Sequence, residues 1–178
     1  MKVKELIAQY AKLYSSFEEL QEKNEILPKG DQKTGVIGEY YAKCYANCIA
    51  QNAQYGKPGE VADLNYVDKK TGKKVAVQVK CVSAHSKTRT IAPLNIEKTK
   101  GKRPFEFLYL IDLDVNFEPI GFYINTYDEI VKKKPNKKRI LGTKMKGICS
   151  NGKLTAGSAI YDFTDNRVEE LKSAISKK

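Results

Sequence analysis

Residues 59–82 read GEVADLNYVDKKTGKKVAVQVKCV, and the spacing of their apolar side chains decides the fold. Val75, Val77, Val79 and Cys81 alternate with Ala76, Gln78, Lys80 and Val82. Successive side chains on a strand point to opposite faces, so residues 74–82 form a strand on which Gln78 and Lys80 emerge together. Residues 61–67 form a second strand, and the segment DKKTG at 68–72 is a turn-rich stretch of hairpin length. The first strand carries Asp63 among Val61, Ala62 and Leu64, a place where an unpaired carboxylate is unfavourable unless a cation or a metal meets it. The hairpin sets Asp63 opposite Gln78 and Lys80.

Upstream of the hairpin, Ile37, Tyr41, Cys44, Tyr45 and Cys48 form one apolar stripe and predict a helix over 34–52, closed by the Gly and Pro signals of 54–59. Leu6, Ile7, Tyr10, Tyr14 and Phe17 recur at helical spacing and predict an amphipathic helix over about 3–20 that covers the core, followed by a loop over 24–33. Downstream, 83–90 is a basic loop rich in Ser and Thr, and 91–96 is ambiguous. Residues 105–113 (FEFLYLIDL) are the strongest strand candidate and are expected to be central. Residues 117–125 predict a further strand, with Pro119 marking an edge or a bulge. A short helix over 126–133 follows, with Asp128 and Glu129 in its first turn. No element is assigned to 134–155. The chain closes with an extended segment or strand at 159–163 and an amphipathic helix over 165–176 bearing Val168, Leu171 and Ile175. This order predicts an α/β or α+β sandwich with a mixed sheet.

The 178 residues suit one domain, divided into an N-terminal helix and loop (1–33), a core (34–125) and a basic segment with the last helix (126–178). Hydrophobic residues at 41% and charged residues at 30% are those of a globular chain. The first twenty residues carry charges throughout, and no apolar run is long enough to span a bilayer, so a cytoplasmic location is expected. Cys44, Cys48, Cys81 and Cys149 form no CxxC pair and have only His85 as an imidazole partner, which favours buried thiols over a zinc site. A net charge of +11 and a pI near 9.4 favour a polyanionic partner, nucleic acid first. The basic residues gather at 98–103, 132–139 and Lys144 to Lys146, where solvated surface is the competing account.

Hydrolysis of a phosphodiester needs a divalent metal on oxygen ligands, an activated water and positive charge near the phosphate. A carboxylate, a second oxygen donor and a lysine in one cluster supply those parts. Asp63 followed by Gln78-Val79-Lys80 resembles the D…(D/E)xK signature of the PD-(D/E)xK nuclease superfamily, in the Q-x-K form of Mrr-type and related type II restriction nucleases. Val61-Ala62 stands where that family often has a proline. The run Gly35-Val36-Ile37-Gly38-Glu39 looks like the family's acidic residue on a preceding helix. The resemblance implies a restriction-endonuclease-like three-layer core, with a mixed central sheet flanked by helices. It implies that Asp63 binds Mg²⁺, for which Mn²⁺ substitutes, that Glu39, Gln78 and the main-chain carbonyl of Val79 complete the shell, and that Lys80 orients water or steadies the transition state. Gln78 contributes no negative charge, so Glu39 carries more weight than it would beside an acid. Two other accounts of Glu39 are a surface pair with Lys43 at i+4 and a first-turn acid complementing the helix dipole. Asp, Gln and Lys on an exposed hairpin face are the alternative for the trio.

Ser83, His85, Ser86, Lys87 and Arg89 form a hydroxyl-rich basic loop after Lys80, suited to gripping phosphate oxygens, and Lys102, Arg103 and Lys144 are further DNA-contact candidates. His85 is either a proton carrier or a loop histidine without a role. The function implied is a Mg²⁺-dependent endodeoxyribonuclease acting on duplex DNA, of type II restriction type. A homodimer would cut both strands, and a cognate DNA methyltransferase would act on the same site. The alternative is a catalytically inactive nuclease-fold DNA-binding module in which Gln78 is the relic of a lost acid. An RNA- or ribosome-associated protein ranks last, because the aromatics fall within core patterns.

Overall fold

In the computed structural model the hairpin forms from β2 (Leu64–Asp68) and β3 (Lys74–Ser83), antiparallel, with Leu64 facing Val77 and Tyr66 facing Val75. Its turn closes on Asp68, whose Oδ1 accepts hydrogen bonds from the backbone N–H groups of Lys70 and Thr71 and from the Thr71 hydroxyl. Gly72 takes the left-handed φ of 67° that the turn requires and that a side chain would oppose. The structure describes residues 3–22, 26–28, 32–85, 91–92, 94, 102–133 and 161–177. The segments 134–155 and 159–160 therefore lie outside the described residues.

Two helices precede the hairpin, α1 (Val3–Glu22) and α2 (Lys33–Ile49). They are followed by a strand that the helical stripe over 34–52 hid, β1 (Ala50–Tyr55). Its sequence AQNAQY has no β-branched residue, and only Ala50 and Ala53 are buried. Pairing with β2 makes it a strand, through a register that slips between Gln51 and Gln54, where Asn52 adopts a left-handed φ of 53°. Beyond β3 come β4 (Phe107–Leu113), β5 (Pro119–Thr126), α3 (Tyr127–Lys133) and α4 (Val168–Ser176).

The five-stranded sheet has the order β1-β2-β3-β4-β5. All neighbours are antiparallel except β3 and β4, which run parallel, so the chain between them must cross over one face. Residues 107–113 form an interior strand, almost wholly buried, as their apolar run requires. Pro119 opens the edge strand β5, beside the irregularity that breaks its register with β4, so both expectations for this proline hold.

Two clusters divide on the alternation of the strands. On one face Leu64, Tyr66, Val75, Val77, Val79, Tyr109, Ile111 and Phe122 pack against Ala42, Tyr45 and Ala46 of α2 and Leu171 and Ala174 of α4. Tyr45, Tyr109 and Phe122 meet there edge to face, so these tyrosines are core groups. On the other face Val82, Leu108, Leu110 and Tyr123 pack with Ile91, Leu94, Phe105, Tyr161, Phe163 and Ile130 of α3. The result is an α+β fold of three layers around a mixed sheet. Residues 161–163 add no strand; the Asn125 side chain ties them on by donating to the Asp162 carbonyl at 3.0 Å and accepting from its N–H.

Helix α1 does not cover the core as its stripe predicted. Ile7 and Leu13 are 63% and 71% exposed, and Tyr14 and Leu20 are also exposed. Helical spacing shows that a stripe exists but not where it docks. The helix is held at its C-terminal end, where Gln21 donates to the Pro28 carbonyl at 2.6 Å and Lys33 bonds Glu18 and Gln21. No helix among the described residues is long and apolar enough to cross a membrane.

Candidate functional site

Strand β2 runs beside β3 only as far as Leu64 and Val77, and then the two separate. Asp63 sits at that point, one residue before β2. Its main chain is held on both sides, donating to the Val77 carbonyl at 2.9 Å and accepting from the Gly56 N–H at 2.8 Å. A Cβ on Gly56 would lie 2.0 Å from the Ala62 carbonyl oxygen, so only glycine permits this approach.

Alternate residues of β3 turn their backbone groups toward β2, so the N–H and C=O of Val79 face the side that β2 has left. The Asp63 carboxylate fills half of the gap, because its Oδ2 accepts from the Val79 N–H at 2.7 Å and also from the Gln78 amide. Oδ1 of Asp63 accepts no hydrogen bond among the described residues. Among the described residues the side-chain contact of the Val79 carbonyl is with the Gln78 amide nitrogen, at a weak 3.4 Å. Gln78 is buried, and Lys80, on the same face, is half-buried.

Helix α2 brings a second carboxyl. Gly38 sets its approach, since a Cβ there would lie 2.5 Å from the Cβ of Cys81 and 2.8 Å from its sulfur. Ala42 and Ala46, fully buried, continue the close contact with the sheet, whereas Ile49 is exposed. Glu39, the next residue after Gly38, is thereby carried to Asp63 and Lys80. Burial pushes its carboxyl up to about 8, with the Asp63 charge adding and Lys80 opposing. Burial raises Asp63 too, against the Val79 N–H, Lys80 and the Gln78 amide, which favour its charged form. Two carboxyls held above their ordinary range and sharing one ammonium form an incomplete charge balance that an added cation would complete.

The donor set fits a hard divalent cation. Among the described residues Asp63 Oδ1 and the Glu39 carboxyl have no hydrogen bond, and the Val79 carbonyl has a weak one. Mg²⁺ takes one or two carboxylates and keeps several waters, so this set is sufficient. No group of three or more His, Cys, Asp or Glu side chains comes together among the described residues, which leaves no protein cage of the zinc kind. Gln78 turns its N–H toward Asp63, and its carbonyl oxygen would need to rotate to reach a cation. A cavity of about 620 Å³ opens over Asp63 and Glu39, walled by Lys43, Tyr55 and the 56–60 loop.

Glu39 is the seventh residue of α2, whose first turn has no acid, so a dipole-complementing role does not apply. Lys43 turns its ammonium over the Tyr55 ring, 4.0 Å from the centroid. Ser83 was expected on a DNA-gripping loop, but it closes β3 inside the core at 1% exposure, and its hydroxyl cannot meet a phosphate. His85 is exposed, and its Nε2 lies 2.8 Å from the Val115 carbonyl, with the ring against Phe117. It lies in the turn that follows β3, and among the described residues its contacts are with Val115 and Phe117 and not with Asp63 or Glu39. Arg103 pairs with Asp128 at 3.1 Å, and Lys102 is exposed. Ser86, Lys87, Arg89 and Lys144 lie outside the described residues. Of the thiols expected to be buried, Cys44 is buried and Cys81 half-buried, whereas Cys48 is exposed. Sequence reasoning missed Gly56, whose only signal was its place before the Pro-Gly turn.

No protein-family model matches the chain, and no curated protein does. Among solved structures it is similar to a bacterial homing endonuclease, I-Ssp6803I, with 17% sequence identity over 84% of this chain and 97% of that chain, at a TM-score of 0.43.

Proposed function

We propose that this chain is a Mg²⁺-dependent endonuclease that hydrolyses phosphodiester bonds in duplex DNA, of restriction type, with a PD-(D/E)xK site made of Glu39, Asp63, Gln78 and Lys80. The observation that supports it is the convergence of two carboxyls and a lysine beside Val79, where β2 leaves β3. Asp63, Glu39 and the Val79 carbonyl would hold Mg²⁺, with Gln78 beside them. The ion supplies a water acidic enough to ionise near neutral pH and a Lewis acid for the phosphoryl oxygens. Glu39 must give up its proton to serve, and Lys80 favours that by stabilising both carboxylates. The Lys80 ammonium is also the group that meets negative charge developing on the phosphate. The net charge of +11 favours a polyanionic substrate.

Plasmid DNA incubated at low salt with Mg²⁺ or Mn²⁺ tests the proposal. Wild-type protein should cut it, and Asp63→Ala and Lys80→Ala should each abolish cutting. Cutting that persists in both variants would overturn the site. A second reading, a DNA-binding module without catalysis, is favoured by the uncharged Gln78 and by its N–H on the Asp63 oxygen. It expects DNA to be bound equally with and without Mg²⁺ and left intact.

A further inference from the structure

Asp63 and Gln78 form one row across the sheet, and the next row on the same face is Gln54, Asn65 and Ala76, paired in register across β1, β2 and β3. One strand period of two residues separates the rows, about 7 Å. Lys74 stands one row further on, opposite Val67. A cavity of about 860 Å³ opens over these rows and shares Gln54, Glu60 and Ala62 with the cleft above Asp63 and Glu39, so the two are adjacent. Ala76 is small, which leaves both amides clear of side chains in their own row.

Gln54, Lys74 and Lys102 are exposed and Asn65 half-buried, and none of their side chains has a hydrogen bond or ion pair among the described residues. The other charges at this rim are engaged, Glu60 by accepting the Lys57 N–H at 3.1 Å. Glu106 accepts the Ala76 N–H at 2.6 Å, and Arg103 pairs with Asp128. A half-buried amide without a partner loses hydration and gains nothing in return, unless a ligand supplies the bond. What remains available is the carboxamides of Asn52, Gln54 and Asn65, with Gln54 and Asn65 paired across the strands, flanked by the ammonium groups of Lys74 and Lys102. Carboxamides match base edges, and ammonium groups match phosphates.

We propose that this trough holds the DNA strand flanking the bond to be cut, with Gln54 and Asn65 meeting base edges and Lys74 and Lys102 meeting phosphates. It rests on the nuclease reading of Asp63 and Gln78. The row spacing corresponds to about two base steps of about 3.4 Å, which puts the base contacts about two nucleotides from the cut. These amides would then set sequence preference beside the scissile bond.

The test uses the full chain in EDTA and binding of a fluorescein-labelled randomised duplex pool, with sequencing of the retained fraction. Lys74→Ala should lower the slope of log affinity against log salt by about 1, while Lys172→Ala, on α4 across the sheet, should leave it unchanged. Gln54→Ala with Asn65→Ala should relax base preference at one or two adjacent positions by roughly 5- to 100-fold. Circular dichroism verifies that each variant is folded. An unchanged slope with an unchanged selected motif overturns the trough and leaves the endonuclease reading intact. The expected changes in a protein that never cuts DNA uphold the trough and overturn catalysis. No duplex binding by the wild type either in EDTA or with Mg²⁺ overturns both.

Discussion

Replacing Glu39 by Gln removes a proton whose equilibrium the fold has shifted. The ordinary carboxyl value of 4.5 rises to about 8 in the native protein, from burial first and the Asp63 charge second. Between those values the native chain keeps the proton and the unfolded chain releases it. The native state therefore binds more protons, and stability falls as pH rises through the window. Each pH unit is worth about 1.4 kcal/mol, which bounds the whole effect at about 5 kcal/mol. Glu39 is half-buried, and water reaching it should reduce the observed value to roughly 2–3 kcal/mol. The glutamine keeps the shape and cannot ionise. In urea denaturation followed by circular dichroism in EDTA, Glu39→Gln should match the wild type near pH 5 and exceed its stability by roughly 2–3 kcal/mol at pH 9. Other titrating groups cancel in the difference. Added Mg²⁺ should narrow the gap, because a cation favours the carboxylate that only the wild type offers. A difference that stays flat from pH 5 to pH 9 would refute the claim that the fold holds Glu39 protonated.

Gly38→Ala puts a Cβ 2.5 Å from that of Cys81 and should destabilise the protein by about 1–3 kcal/mol, with Cys81→Gly restoring part of the loss; urea denaturation of single and double variants measures both. Asp63→Ala leaves the Val79 N–H without its acceptor and should lose about 1–3 kcal/mol relative to Asp63→Asn, whose amide oxygen can still accept; exchange of the Val79 amide proton, faster only in the alanine variant, reports it. Asn125→Ala removes both bonds to the Asp162 backbone and should expose the chain near 161–163 to limited proteolysis well before global unfolding.

The parts of this fold that were legible in the sequence are those in which local spacing and long-range contact agree. In β3 the alternation of Val75, Val77 and Val79 coincides with burial on one cluster, and the Asp68 turn fixes the register with β2. Asp63 and Gln78 follow from that register, because a hairpin of known turn leaves one partner for each residue. Strand β1 was not legible, because AQNAQY is ordered by the edge of β2 and by the turn of Asn52, neither of which is a property of the hexapeptide. The exposure of α1 was likewise hidden, since its stripe is helical in either position. Ser83 was read as part of a loop because it follows the apolar run, yet β3 continues one residue further, paired with Leu113 of β4.

The position of the candidate site follows from a requirement of the backbone. A strand that loses its neighbour exposes N–H and C=O groups that need partners. When β2 leaves β3 at Leu64, the Val79 N–H is satisfied by a side chain, and the one that reaches it is the carboxylate immediately before the strand. That bond uses Oδ2 and, among the described residues, leaves Oδ1 unbonded, while the carbonyl of Val79 has a weak contact with the Gln78 amide. The separation of the strands thus creates two oxygen donors side by side without any residue being added for the purpose. Beside the gap α2 packs on the face of the sheet, where Gly38 against Cys81 lets the helix come close. Glu39 arrives as a consequence of that contact. The site therefore depends on β2 separating from β3 at residue 64, and a substitution that extended the ladder by one pair would bury the donors in sheet hydrogen bonds while leaving every candidate side chain in place.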